Sequence, residues 1–233
     1  MNITYFHPDF GTIKVNPTAS YYEQLRSRLT VKKVVGKNFV RIGKHNDGGY
    51  ITVDNFQNSG VAYSFGICDD VSWDADMAAH GYEIFMYDPT IDALPATNPK
   101  FHFFREGIAG TDNPKRSLNT PEHFVGANGF HELTAPKDQS VMNATLACLS
   151  KINRTHSLVH LHANNSNPFI ILDDKILIPD VLELTYVKTA NYQLADDEDI
   201  LLPLPIDEPN SPVRQDIPLG FWNRRFNNVL AIK

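Results

Sequence analysis

Apolar and polar positions along the chain switch between helical and strand-like spacing, and their order predicts an α/β fold. Tyr22, Leu25 and Leu29 recur at helical spacing within Ala19 to Leu29, which predicts a short amphipathic helix. Asn38 to Gly43 and Tyr50 to Val53 read as strands flanking the turn signal Asn46-Asp-Gly-Gly49, so together they predict a β-hairpin. Gly60 to Ile67 is a short apolar run of the buried-strand kind and stops at Cys68-Asp-Asp70. Ser72 then suits a helix N-cap, Trp73 to His80 a helix, and Gly81 its stop. Glu83 to Tyr87 predicts a second buried strand ending at Asp88, and Phe101 to Phe104 a third, ending at Glu106 to Gly110. Strand, helix, strand, loop and strand in close succession imply parallel pairing with right-handed crossovers, which is half of a doubly wound sheet.

The later pattern is less regular. Thr120 to Ala127 reads as helix-like, and Met142 to Asn153 as a helix with Leu146, Leu149 and Ile152 on one face. Leu158 to His162 predicts a strand, and Asn164 to Pro168 a loop. Phe169 to Leu172 and Lys175 to Ile178 form a hairpin about Asp173-Asp174, and Val181 to Val187 is a further strand. From Asp196 the chain turns acidic and then proline-rich, predicting an extended tail that ends in a turn around Trp222. The expected organisation is an appendage of helix and hairpin over 1–59, an α/β domain over 60–190, and a packed tail over 191–233.

Composition narrows the picture. A chain of 233 residues with 42% hydrophobic and 21% charged residues is a globular protein with one good core. No apolar run approaches the length of a membrane span, and the first residues have neither a basic region nor a continuous apolar stretch. A cytoplasmic protein without signal peptide is therefore expected. Two isolated cysteines, Cys68 and Cys148, make neither a disulfide framework nor a multi-cysteine zinc site. The net charge of -6, with no basic cluster longer than Arg224-Arg225 or Lys32-Lys33, argues against nucleic acid as a partner.

In open parallel sheets ligands bind beyond the carboxyl ends of the strands. Gly66, at the end of the first parallel strand, would let a ligand approach the backbone closely. Asp69 or Asp70 could hold an ammonium group. Asp88 ends the next strand about 20 residues on, where a carboxylate can accept from both hydroxyls of a ribose. The single glycine at the turn is not G-x-G-x-x-G, which disfavours NAD or FAD. The structural alternative is a tight turn at Gly66, a dipole-complementing acid at Asp70, and turn chemistry at Asp88-Pro89.

The motifs Arg41-Ile-Gly-Lys-His-Asn-Asp-Gly-Gly-Tyr50, Tyr63-Ser-Phe-Gly-Ile-Cys-Asp-Asp-Val-Ser-Trp-Asp74 and Gly81-Tyr-Glu-Ile-Phe-Met-Tyr-Asp88 resemble the FkbM-type S-adenosylmethionine (SAM)-dependent methyltransferases of bacteria. The resemblance resumes at Ile152-Asn-Arg-Thr-His156, Val159-His-Leu-His-Ala-Asn-Asn165, Pro179-Asp-Val-Leu-Glu-Leu-Thr-Tyr186 and Ile217-Pro-Leu-Gly-Phe-Trp222. It implies a class I SAM-methyltransferase-like, Rossmann-like sheet and O-methylation of a sugar or other hydroxylated small acceptor. It places SAM at Gly66, Asp69, Asp70 and Asp88, with Ile108 after the third strand. It also tilts Arg41, Asp47 and Tyr50 toward the mouth of the cleft, beside cofactor or acceptor.

The chain departs from that family in one respect. The family's fourth strand ends in Asp-x-Glu-Gly, and no such motif follows Asn128-Gly129. A strand–helix–strand unit needs about 30 residues or more, and the chain passes directly to Phe130-His-Glu-Leu133, similar to the end of the family's fifth strand. With one or two central strands missing, the first parallel strand would present an unpaired edge. Another strand moves in, a partner chain supplies one, the domain is unstable, or the sequence omits a stretch of the natural chain.

His160 and His162 lie two apart on a predicted strand and so share a face, where either could serve as general base; the alternative is hydrogen-bonded strand residues. With His131 they could hold a metal, but the spacing is not diagnostic and no metal is expected. Asn164 and Asn165 could bind a sugar hydroxyl or cap a loop. Three functions are carried forward: a SAM-dependent O-methyltransferase, a catalytically inactive protein of the same fold with a binding role, and a carbohydrate-binding module; a homo-oligomer is an open option for each.

Overall fold

The computed structural model describes residues 3–7, 11–13, 19–57, 59–106, 123–126, 139–172 and 176–224. Its elements run β1 (Ile3–His7), β2 (Gly11–Ile13), α1 (Ala19–Arg28), β3 (Lys32–Val34), β4 (Phe39–Gly43), β5 (Gly49–Val53), β6 (Gly60–Phe65), α2 (Ser72–Ala79), β7 (Tyr82–Tyr87) and β8 (Phe101–Phe104). There follow β9 (His123–Gly126), α3 (Gln139–Ile152), β10 (His156–Ala163), β11 (Phe169–Leu172), β12 (Ile176–Pro179), β13 (Leu182–Lys188), β14 (Leu194–Asp196), β15 (Leu201–Leu202) and β16 (Gly220–Phe221). The fold is mixed α/β, with small sheets and three α-helices among the described residues. It divides into two compact units, Phe39–Glu122 and the discontinuous pair Met1–Asn38 with His123–Lys233. The hairpin therefore belongs with the parallel sheet rather than with the N-terminal helix, and the span 60–190 is shared between the units.

The unit Phe39–Glu122 is built from adjacent chain. β4 and β5 pair antiparallel from Phe39↔Val53 to Gly43↔Gly49, the expected hairpin. β6, β7 and β8 form a parallel sheet in that order. α2 joins β6 to β7 because Met77 and Ala78 on its inner side bury against Ala62, Ile84, Met86 and, from the hairpin, Ile42. Strand alternation sends the next residues to the other face. There Tyr63 contacts Phe85, Phe65 stacks on Tyr87, and Phe104 stacks on both Phe85 and Tyr87, a row of rings that leaves Phe65 40% exposed. Ser72 is the first residue of α2 and Val71 occupies the cap position. The Ser72 hydroxyl instead accepts from the Lys44 N–H at 3.0 Å, tying helix to hairpin.

One residue of α2 works against stability. Asp74 is buried on the packed side, its Oδ1 has no hydrogen-bond partner among the described residues, and burial pushes its carboxyl up to about 6 despite a hydrogen bond with Ser64. The folded state thus holds a proton that the unfolded chain has lost between pH 4 and 6, so stability falls as pH rises through that window and the penalty is complete above it. Asp74→Asn is expected to raise stability at pH 7 by about 2 kcal/mol and to flatten the pH dependence between 4 and 6. Urea denaturation across that range measures both.

The second unit is stitched from distant chain. β12, β11, β1 and β2 form one antiparallel sheet, and β10, β13 and β9 another. The segment His123–Gly126 pairs with β13 as a strand, so this part of the helix-like piece expected over 120–127 is extended; the rest of that span lies outside the described residues. α1 and α3 bury Tyr22, Leu25, Leu146 and Leu149, with Leu29 just after α1, in a core that continues into Leu158, Leu161 and Tyr186 of the strands. Over its described residues the tail is extended. β14 pairs with β3 and β15 with β16, and the buried Trp222 donates its indole N–H to the Leu29 carbonyl at 2.9 Å.

Candidate functional site

In the parallel sheet the chain leaves β6 through Gly66, whose φ of 73° favours glycine. Gly66 is exposed, and a Cβ built on it would meet nothing within 4 Å, so the space over this backbone is open. The Gly66 N–H donates to the Tyr87 carbonyl at 2.9 Å, which sets it beside the end of β7. Asp88 follows there and is 2% exposed. Its Oδ2 accepts from the N–H groups of Ile67 at 2.7 Å and Cys68 at 2.9 Å. Its Oδ1 accepts from the Thr90 N–H at 2.7 Å and the Thr90 hydroxyl at 2.6 Å. The Cys68 N–H above all, and the Thr90 hydroxyl, hold this carboxyl down at about 2. The anion expected to grip a ribose is thus filled by protein donors and shapes the Gly66–Cys68 turn.

The same turn reaches the hairpin. Asp70 N–H donates to the Ile67 carbonyl at 3.2 Å, and the Asp70 carboxylate receives the Ser72 N–H at 3.0 Å and the Lys44 ammonium at 3.1 Å. Gly43 N–H donates to Asp76 Oδ2 at 2.8 Å, and Arg41 donates to the carbonyl oxygens of Lys44 and Asn46 across its own turn. Gly48 has a φ of 98°, which favours glycine, and its backbone lies against the ends of the Asp70 and Lys44 side chains. Arg41, Gly48 and Asp70 form one polar cluster. Asp47 is exposed and Tyr50 half-buried in the same hairpin. Asp69 is exposed, beside Asp70. Ile108 lies outside the described residues.

His160, His162, Asn164 and Asn165 belong to the other unit, at the end of β10. All four are buried. His162 faces Glu183 of β13 through Nδ1 at 3.4 Å and Asp216 of the tail through Nε2 at 3.1 Å. Burial pulls its pKa down, but the hydrogen bonds to Asp216 and Glu183 and the charge of Asp207 outweigh it and carry it up to about 10. Nε2 of His160 lies 3.1 Å from the Asp207 carboxylate, which is itself held below the usual carboxylate range: His160 overcomes the opposing effect of burial. The Asn210 amide donates to Glu183 at 2.6 Å. Asn165 brackets the tail, donating to the carbonyls of Ser211 and Arg214 and accepting from the Ser211 N–H at 2.7 Å. Asn164 caps its loop through the Ser166 N–H. With both nitrogens on carboxylates and its pKa raised, His162 is held as an imidazolium at neutral pH, and His160, His162 and Asn165 connect β10 to the tail.

Sequence reasoning missed Asp74, Glu183, Asp207 and Asp216. A charged residue within an apolar helix face was the available signal for the first, and an acid within the apolar run Val181 to Val187 for the second. Among the described residues no group of three or more His, Cys, Asp and Glu side chains could hold a metal ion, and no helix is long and apolar enough to cross a membrane. No protein-family model matches the chain, and neither do curated proteins or solved structures.

Proposed function

We propose that the unit Phe39–Glu122 binds SAM at the carboxyl ends of β6 and β7, and that the protein is an O-methyltransferase of the class I, Rossmann-like kind for a sugar or other hydroxylated small acceptor. The observation that carries this is Gly66: an exposed, left-handed glycine with open space over it, at the end of a parallel strand and beside the acid-terminated end of the next. Gly66 would let the methionyl portion lie against backbone, and the exposed carboxylate of Asp69 suits its ammonium. Asp88 would act as a positioning residue, holding the turn that the cofactor meets. SAM supplies an electrophilic methyl on sulfonium, and transfer of such a group needs in-line positioning more than proton transfer.

A second reading, a methyltransferase-like binding protein without catalysis, is favoured by the engagement of His160 and His162 with carboxylates. Titration calorimetry with SAM and S-adenosylhomocysteine tests the cofactor site. Saturable heat with both is expected, weakened at least about tenfold in Gly66→Val, whose side chain enters the open space and strains the turn. No heat from folded protein with either compound ends the enzyme reading and leaves the non-catalytic one. Incubation with methyl-labelled SAM and hydroxylated acceptors then separates them: label in the acceptor supports the enzyme, and binding without transfer supports the second reading.

A further inference from the structure

We propose that β6 is the docking edge for a second copy of this chain, through antiparallel β6–β6 pairing about a two-fold axis at Tyr63; this is independent of the cofactor reading. β6 pairs with β7 on one side and, among the described residues, with no strand on the other. The Gly66 N–H points to β7, so alternation turns the N–H and C=O groups of Val61, Tyr63 and Phe65 to the outer edge. Soluble proteins protect such an edge with charge, proline or a bulge. Gly60–Phe65, GVAYSF, has neither charge nor proline, and its pairing with β7 runs without a register shift.

The strand is also complementary to itself. Val61 is 51% and Phe65 40% exposed, and they lie two residues on either side of Tyr63 on one face. A two-fold axis at Tyr63 sets Val61 of each copy opposite Phe65 of the other, a β-branched–aromatic cross-strand pair, and Tyr63 opposite itself. The residues so opposed are those whose amide groups face outward, which is the hydrogen-bonded pairing an antiparallel ladder requires. No like charges meet. The ring rows of the two copies become continuous through Tyr63, which already contacts Phe85.

Sedimentation velocity of the full chain at about 1 to 100 μM tests the proposal, since standard-affinity interfaces populate within that range. A discrete dimer is expected, converted to monomer by Val61→Lys with Phe65→Lys, with an unchanged circular dichroism spectrum showing that the variant folds. Independently, Tyr63→Cys with Cys68→Ser and Cys148→Ser should form a disulfide-linked dimer on mild oxidation, while Glu83→Cys in that background should not. A wild-type monomer throughout, a dimer that survives the lysine pair, open-ended aggregation in place of a dimer, or no cross-link at position 63 each overturns it.

Discussion

Leucine in place of His162 is expected to destabilise the discontinuous unit by about 3–5 kcal/mol, the usual cost of removing one partner from a buried ionic cluster. The imidazolium is 1% exposed and separates Glu183 from Asp216, so the apolar side chain would leave two carboxylates facing each other without a cation between them. His162→Gln restores a donor and should recover about half of the loss. The pH dependence follows from the raised pKa. An unfolded histidine titrates near 6.5 and the folded one at about 10, so its contribution is complete below 6.5 and is lost as pH rises through 10. Asp207 is depressed, so its contribution is present above the ordinary carboxylate range and is lost as pH falls through its lowered value. Urea denaturation at pH 7 and at pH 10 should show the wild type weakening with alkali and the leucine variant not. Limited proteolysis should cut first between Leu204 and Asp216. Equal stability of wild type and variant at pH 7 would refute the clamp.

Asp88→Ala should cost the unit Phe39–Glu122 about 3 kcal/mol or more and remove any ligand affinity at the β6 exit. Four donors converge on this carboxylate, and hydrogen bonds to a charged group contribute about 1.5–3 kcal/mol each. Alanine leaves the Ile67 N–H buried without an acceptor and frees the turn on which Gly66 sits. Its depressed pKa means that the contribution is present above about pH 4 and fades as pH falls toward 2. Amide hydrogen exchange is the direct readout: Ile67, Cys68 and Thr90 should lose protection in the variant, and Asp88→Asn should lie between. Unchanged protection at Ile67 and Cys68 would show that the turn holds itself.

Local signals made the Phe39–Glu122 unit readable. The hairpin turn, α2 and the three parallel strands each announce themselves within a few residues, and their neighbours in sequence are their neighbours in space. The placement of Gly66 beside Asp88 was legible for the same reason. The filling of Asp88 was not, because its partners are mostly backbone N–H groups that any sequence offers. In the other unit, β10 is buried almost throughout like a parallel strand, so its hydropathy concealed antiparallel pairing with β13. β1 escaped notice although Ile3–His7 is rich in β-formers, since its ladder partner β11 lies far along the chain. The two histidines were seen to share a face, but the carboxylates that decide their chemistry lie 47 and 54 residues away in the tail. Hydrophobic period reports burial; it does not report which distant acid completes a buried cation.

The closure of Leu29 by Trp222 has a consequence for how the protein is made. α1 is synthesised before its packing partners and, at ten residues, is too short to persist alone; its carboxyl end is met first by Ser150 and Asn153 and closed by Trp222 only when the ribosome has passed position 222. The inserted unit 39–122 is complete well before that. The unit 39–122 can therefore pack during synthesis before α1 does, and α1 is covered first by α3 and closed afterwards by the Trp222 segment.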